Sequence, residues 1–295
     1  MTIAVGYLCS EGIVLCADTQ ETTGYTKNNT DKIRQMWDQG LGVAITGAGD
    51  SELIETVGER IQHALFGEYS PSKMRLTNEI RDIIQNEISS SFERYIAPYA
   101  AFSRDDRPAC DLLIVVTVKN EVNNYECLFK ASGTTVRQIE YGGDCVGSGL
   151  ILAKSLLERF CNSFMDLDEL VLAICYVMFQ TKKWVVGCGG NTDIVVSSYK
   201  RDLFGNIATP DIESLERQFE TCEDTVNLLL TDLVNPNRSD EWIEWRISRA
   251  RKDRERVVKA LYGEGSRLFE TLKRMATSRP IPAKPSVSQT SKSMQ

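Results

Sequence analysis

The chain has 295 residues, enough for one large domain or one domain with an extension. Hydrophobic residues make up 42% and charged residues 25%, which supports a full core and argues against wholesale disorder. A net charge of −7 argues against a nucleic-acid partner, which calls for a basic face. No apolar run reaches the roughly 18–20 residues of a membrane-spanning helix, so no membrane partner is expected.

The amino terminus, Met-Thr-Ile-Ala-Val, lacks the positive start and apolar run of a secretory signal, so a cytoplasmic protein is expected. The nine cysteines fit that expectation: they are scattered, and those at Cys16, Cys110 and Cys175 sit in apolar runs and read as buried thiols. No C-x-x-C pair exists and His63 is the single histidine, so neither a metal nor another cofactor is expected. His63 lies in a helical stretch beside Leu65 and Phe66, which gives no support to a Ser-His-Asp triad.

In chain order, residues 2–9 alternate apolar with small or polar residues as a strand, and residues 13–17 form a second strand, a hairpin across the turn Ser10-Glu11-Gly12. A second hairpin is predicted over 32–36 and 41–45, across Asp38-Gln39-Gly40. Asp50 is a good N-cap for a helix with Leu53, Ile54, Val57, Ile61 and Leu65 on one face. A second helix is predicted over 71–95, with Ser70 as N-cap and Pro71 as first helical residue. Strands follow at 111–118, 125–131 and 134–139, then helices at 150–163 and 167–182 after Gly147-Ser148-Gly149, then a strand at 192–199. Such segregated blocks point to an α+β fold of antiparallel sheets covered by helices. From Asp211 the composition turns highly charged and helical, over 211–234 and 239–276, and the basic run from Arg249 to Arg256 reads as a solvated helix face. The organisation expected is a main domain over 1–210, a charged helical extension over 211–277 and a disordered Pro/Ser/Lys-rich tail over 278–295.

Chemistry is suggested first by Thr2. Its small side chain favours removal of Met1, which would leave a hydroxyl nucleophile and a free α-amine on one residue. An α-amine with a pKa near 7.7–8.0 (approximately, when unperturbed) can accept that hydroxyl's proton at neutral pH.

The segments Thr2 to Gly6, Glu11 to Asp18, Thr22-Thr23-Gly24, Asp31-Lys32-Ile33-Arg34, Ala44 to Asp50, Gly147-Ser148-Gly149 and Gly189-Gly190-Asn191-Thr192-Asp193 together resemble proteasome β subunits and their bacterial proteasome-like relative. The resemblance implies an N-terminal-nucleophile (Ntn) hydrolase, an α+β four-layer αββα sandwich with a C-terminal helical extension. It implies a threonine peptidase with Thr2 as nucleophile, Lys32 as an ammonium beside it, and Asp18 holding Lys32. The backbone N–H of Gly47 would stabilise the oxyanion, and Ser148 would order the α-amine or a nearby water. Thr22 would bind the substrate backbone as an added strand, and Glu21, Asp31 and Ile45, with Thr30, would line the pocket for the residue before the cut. The implied partners are a peptide or unfolded protein substrate, further copies in a homo-oligomeric ring, and an ATPase or regulator. On the residues alone, Asp18 reads equally as a turn residue, Lys32 as a loop charge, Gly47 and Gly49 as turn glycines, and Ser148 as a helix N-cap.

The chain departs from the family pattern before the glycine pair. Active members carry a supporting Asp and Ser there; Val185 and Cys188 take those places. A ring-building subunit without activity, and an amidase acting on a non-peptide amide, are therefore the alternative readings.

Overall fold

The computed structural model describes residues 2–23, 26–69, 77–101, 108–119 and 124–262. Its strands are β1 (Ile3–Cys9), β2 (Gly12–Asp18), β3 (Gln20–Thr23), β4 (Thr26–Asn29), β5 (Arg34–Asp38), β6 (Leu41–Gly49), β7 (Cys110–Lys119), β8 (Asn124–Ser132), β9 (Thr135–Ile139), β10 (Gly142–Gly147), β11 (Thr192–Ser198) and β12 (Leu203–Asn206). The helices are α1 (Ser51–Glu68), α2 (Thr77–Ser91), α3 (Leu150–Phe160), α4 (Leu167–Trp184), α5 (Thr209–Leu233) and α6 (Asp240–Tyr262). A π-helical turn, Phe92–Ile96, continues α2.

Two five-stranded antiparallel sheets form the centre, in the orders β10-β1-β2-β11-β12 and β5-β6-β7-β8-β9. The strand period of two explains the layering. Along β1, Ile3, Val5 and Tyr7 face outward into a core with Leu157, Leu170, Val171 and Ile174 of α3 and α4, whereas Ala4 faces the other sheet. Along β7, Leu112, Ile114, Val116 and Val118 meet α1 and α2, whereas Leu113 and Val115 face β1 and β2. A sheet buried on both faces needs near-continuous apolar strands, as Leu112 to Val116 are. The result is the expected four-layer αββα sandwich. Small residues let the sheets approach: a Cβ on Gly6 would lie 2.9 Å from Leu128 Cδ1.

Local signals set the helix starts. Asp50 caps α1 by accepting from Leu53 N at 3.0 Å, and Asp166 caps α4 by accepting from Glu169 N at 2.8 Å. The first part of α5 belongs to the outer core, with Ile212 and Leu215 buried and Phe219 packed against them. Among the described residues no helix is long and apolar enough to cross a membrane.

Several expectations shift. The strand predicted from residue 32 begins at Arg34. The hairpin β3–β4 and the strands β10 and β12 were not anticipated. The predicted cap at Ser70 and Pro71, the end of the second extension helix after residue 262 and the tail over 278–295 lie outside the described residues.

Candidate active site

The β1–β2 register, with Ala4 opposite Ala17, brings Asp18 level with Ile3 at the end of the central strand. Asp18 is fully buried, and its carboxylate gathers donors from four directions. Its Oδ1 accepts from Thr2 Oγ1 at 2.7 Å, from Ile3 N at 3.1 Å and from Lys32 Nζ at 3.0 Å. Its Oδ2 accepts from Gly189 N at 2.9 Å. A buried carboxylate is tolerable only with such pairing and hydrogen bonding.

Lys32 has three N–H groups and three acceptors: Asp18 Oδ1, the Gln20 carbonyl and, in close contact, Thr2 Oγ1. Its side chain is 15% exposed, so the ammonium is held at the hydroxyl in a largely dehydrated setting. This use of Lys32 explains why β5 starts two residues later than the hydrophobic pattern suggests. Continuing the β5–β6 register past Arg34 and Ile45 brings Lys32 level with Gly47, where no described pairing occupies the β5 side of β6. A Cβ on Gly47 would lie 2.6 Å from both Asp111 O and Leu112 Cδ2, so close packing with β7 alone demands glycine there.

Ser148 is not the N-cap of α3; that position is Gly149. The Ser148 hydroxyl donates instead to the Thr2 carbonyl at 3.2 Å and lies 3.7 Å from Cys188 Sγ. Gly147 permits this approach with a φ of +105°, and a Cβ there would sit 2.1 Å from Thr2 O. Burial pushes the Cys188 thiol up, and the Ser148 hydrogen bond opposes that only in part, so Cys188 is a poor competing nucleophile. Val185 is the C-cap of α4, packs against the outer core and offers no carboxylate to the site.

The five positions expected to meet substrate divide; Thr30 is half-buried, and its backbone N–H donates to the Thr19 carbonyl at 2.9 Å. Glu21 and Thr22 lie on β3, opposite Asn28 and Lys27; Glu21 is half-buried, and the Thr22 side chain lies outside the described residues. Asp31 is exposed. Ile45 is 2% exposed and packs in the core beneath α1.

Sequence reasoning missed the roles of Gly189 N–H and of the Gln20 carbonyl, because backbone groups carry no residue signature. It also missed Asp193, which lies near Lys32; burial first, and then the charge of Asp31, push that carboxyl up. Among the described residues no cluster of three or more His, Cys, Asp or Glu is arranged to hold a metal ion.

Comparison with solved structures finds the same fold. Anbu (ancestral beta-subunit) from Yersinia bercovieri aligns with a TM-score of 0.62 at 13% identity, over 81% of this chain and 99% of that one. A Gly-1 mutant of Anbu from Hyphomicrobium sp. strain MC1 gives 0.62 at 14% identity, over 77% and 96%. The helical assembly of the Anbu complex from Pseudomonas aeruginosa gives 0.62 at 11%, over 81% and 99%. No curated protein matches the sequence. A family model described as proteasome subunit matches residues 2–197, the stretch that holds both sheets' central strands and Thr2, Asp18, Lys32 and Ser148, so the chain belongs to the proteasome subunit family.

Proposed function

We propose that this chain is a threonine-type peptidase that works in a ring-like oligomer, with Thr2 as nucleophile once Met1 is removed. The observation that carries the reading is the Thr2–Asp18–Lys32 cluster: one hydroxyl is in contact with a partly buried ammonium, and a buried carboxylate holds both. The Thr2 oxygen attacks the carbonyl carbon of a peptide while the Thr2 α-amine takes the hydroxyl proton. Lys32 stabilises the negative charge that develops on the oxygen, and Gly47 N–H receives the oxyanion. Collapse expels the amine product, which leaves with the proton from the α-ammonium, and an ester to Thr2 remains for water to cleave. Substrate is a peptide or unfolded protein lying along β3, and an ATPase or regulator is the kind of partner that would deliver it.

The reading of an inactive ring subunit draws on Val185 and Cys188, which leave the site without the supporting Asp and Ser of the family pattern. Three measurements separate the readings. The intact mass must show loss of Met1 with an unblocked Thr2. A panel of fluorogenic peptides must be hydrolysed. Lys32→Ala must abolish that hydrolysis while the assembly stays intact. Retained Met1 in the functional protein, or near-normal turnover by Lys32→Ala, overturns the assignment.

A further inference from the structure

The loop over 187–191 holds Asp18 in place, and its own anchor comes from outside the family-matched residues. Gly189 N donates to Asp18 Oδ2 at 2.9 Å, Gln20 N to Gly189 O at 3.1 Å, Thr19 N to Asn191 O at 2.9 Å, and Asn191 N to Thr19 Oγ1 at 2.8 Å. The loop has no slack: a Cβ on Gly189 would lie 2.5 Å from Gln20 Oε1, and one on Gly190 would lie 2.6 Å from Thr19 Oγ1. The outer side of the loop is gripped by Lys182, in the last turn of α4, whose Nζ donates to Gly190 O at 3.1 Å. That ammonium is paired with Glu216 of α5 at 2.7 Å, with side chains 9% and 18% exposed respectively. Glu216 Oε1 also accepts from Thr192 Oγ1 at 2.8 Å, and Thr192 is the register partner of Asp18 on β11.

We propose that Glu216, on the helix beyond residues 2–197, is a positioning residue for the active site: with Lys182 and Thr192 it fixes the glycine loop that orients Asp18, and through Asp18 it orients Lys32 and Thr2. Two features make the anchor necessary. Val185, at the end of α4, supplies no carboxylate to this loop. Lys182 is also within the electrostatic reach of Asp193, so an unpaired Lys182 would be drawn toward that carboxylate. The extension is thus part of the catalytic framework. The inference rests on the peptidase reading for its kinetic consequence, but not for its structural one.

The test uses the full chain and a matched control. Lys183 and Tyr176 clamp α4 to α5 through Glu223, at 2.9 and 3.1 Å, without touching the loop. Glu216→Gln and Lys182→Met should each lower kcat about 10- to 100-fold with KM little changed, whereas Glu223→Gln should not. The double variant Glu216→Gln with Lys182→Met should be no worse than either single change, because the two act as one unit. Hydrogen exchange at the Gly189 and Asn191 amides should accelerate by about tenfold or more in Glu216→Gln and stay unchanged in Glu223→Gln. Equal losses in Glu216→Gln and Glu223→Gln would reduce the role to helix packing and overturn the proposal. Unchanged exchange in Glu216→Gln would overturn it as well. If the unaltered chain cleaves no peptide while Glu216→Gln still loosens the loop, the peptidase reading falls and the positioning role stands.

Discussion

Asp18 is the residue on which the site converges, and its burial makes it costly to disturb. Asp18→Ala would leave the Lys32 ammonium mostly buried without its counter-charge; breaking such a pair costs about 3–5 kcal/mol. Urea denaturation of Asp18→Ala against the unaltered chain checks this, and a loss well under that range would mean that water reaches Lys32 freely. Glu126 is a half-buried carboxylate, remote from Thr2, that joins the two sheets. It accepts from Ser197 Oγ at 2.7 Å and Tyr199 N at 2.8 Å, and burial pushes its pKa up to about 7 despite those hydrogen bonds. The folded pKa therefore lies above the unfolded value of about 4.3, and the folded state holds the extra proton between them. That contribution is fully present below about pH 4.3 and is lost as pH rises through 7, at most about 4 kcal/mol. Urea midpoints between pH 5 and 7.5 should fall more steeply for the unaltered chain than for Glu126→Gln; parallel curves would show that Glu126 is not the group responsible. Glu21 and Asp31, the acidic positions proposed to rim the pocket for the residue before the cut, would set its charge, and Asp193 lies within the field of Asp31. Peptides with Arg or Lys before the cut should be cleaved faster than those with Asp or Glu, because the acidic rim attracts the former and repels the latter. Fluorogenic peptides differing only at that position decide it, and faster cleavage after acidic residues would refute the pocket reading while leaving Thr2 untouched.

Among elements, β10 shows why a poor strand sequence is retained. Gly142 and Gly143 are weak strand formers, yet a Cβ on Gly143 would lie 2.4 Å from Tyr7 Cδ2 and 2.6 Å from Gly6 O. At the strand's end, Gly147 combines a positive φ with direct contact to the Thr2 carbonyl. Gly147→Ala should cost about 1–3 kcal/mol from backbone strain alone and displace Thr2 as well. The expected outcome is a lower denaturation midpoint with a disproportionate loss of turnover. A variant that keeps full turnover would show that the β10–β1 spacing has slack. The hairpin β3–β4 explains a different blind spot: β4, Thr-Lys-Asn-Asn, is exposed at every residue, so it carries no apolar period from which a strand is read.

For the whole molecule, the exposed apolar residues are concentrated on helices. On α5, Val226, Leu230 and Leu233, with Val234 next to it, follow helical spacing and are each at least half-exposed, and Trp242 and Trp245 pack against each other at a 38° tilt near the start of α6. A chain of this composition that exposes such surface is expected to associate. Light scattering of the purified protein should therefore report a multi-subunit species. A clean monomer at micromolar concentration would sink the ring-like oligomer.

Much of this protein is legible in its residues. The strand-sized apolar runs of β1, β2 and β7, the helical spacing behind Asp50 and the order of strand and helix blocks point to antiparallel sheets covered by helices, because those patterns are local and each strand face meets an apolar layer. Thr2, Asp18, Lys32 and Ser148 were singled out through short motifs, and the folded chain brings those four side chains to one place. Tertiary structure alone decided the rest. Ile45 is buried beneath α1 because its register on β6 faces that helix. Gly189 N–H and the Gln20 carbonyl became ligands of Asp18 and Lys32 because strands distant in sequence close around them. Glu216 reached Lys182 because α5 lies against α4, a contact between residues 34 positions apart in the chain. Local periodicity records which face a residue presents; only packing decides which distant donor or charge meets it there.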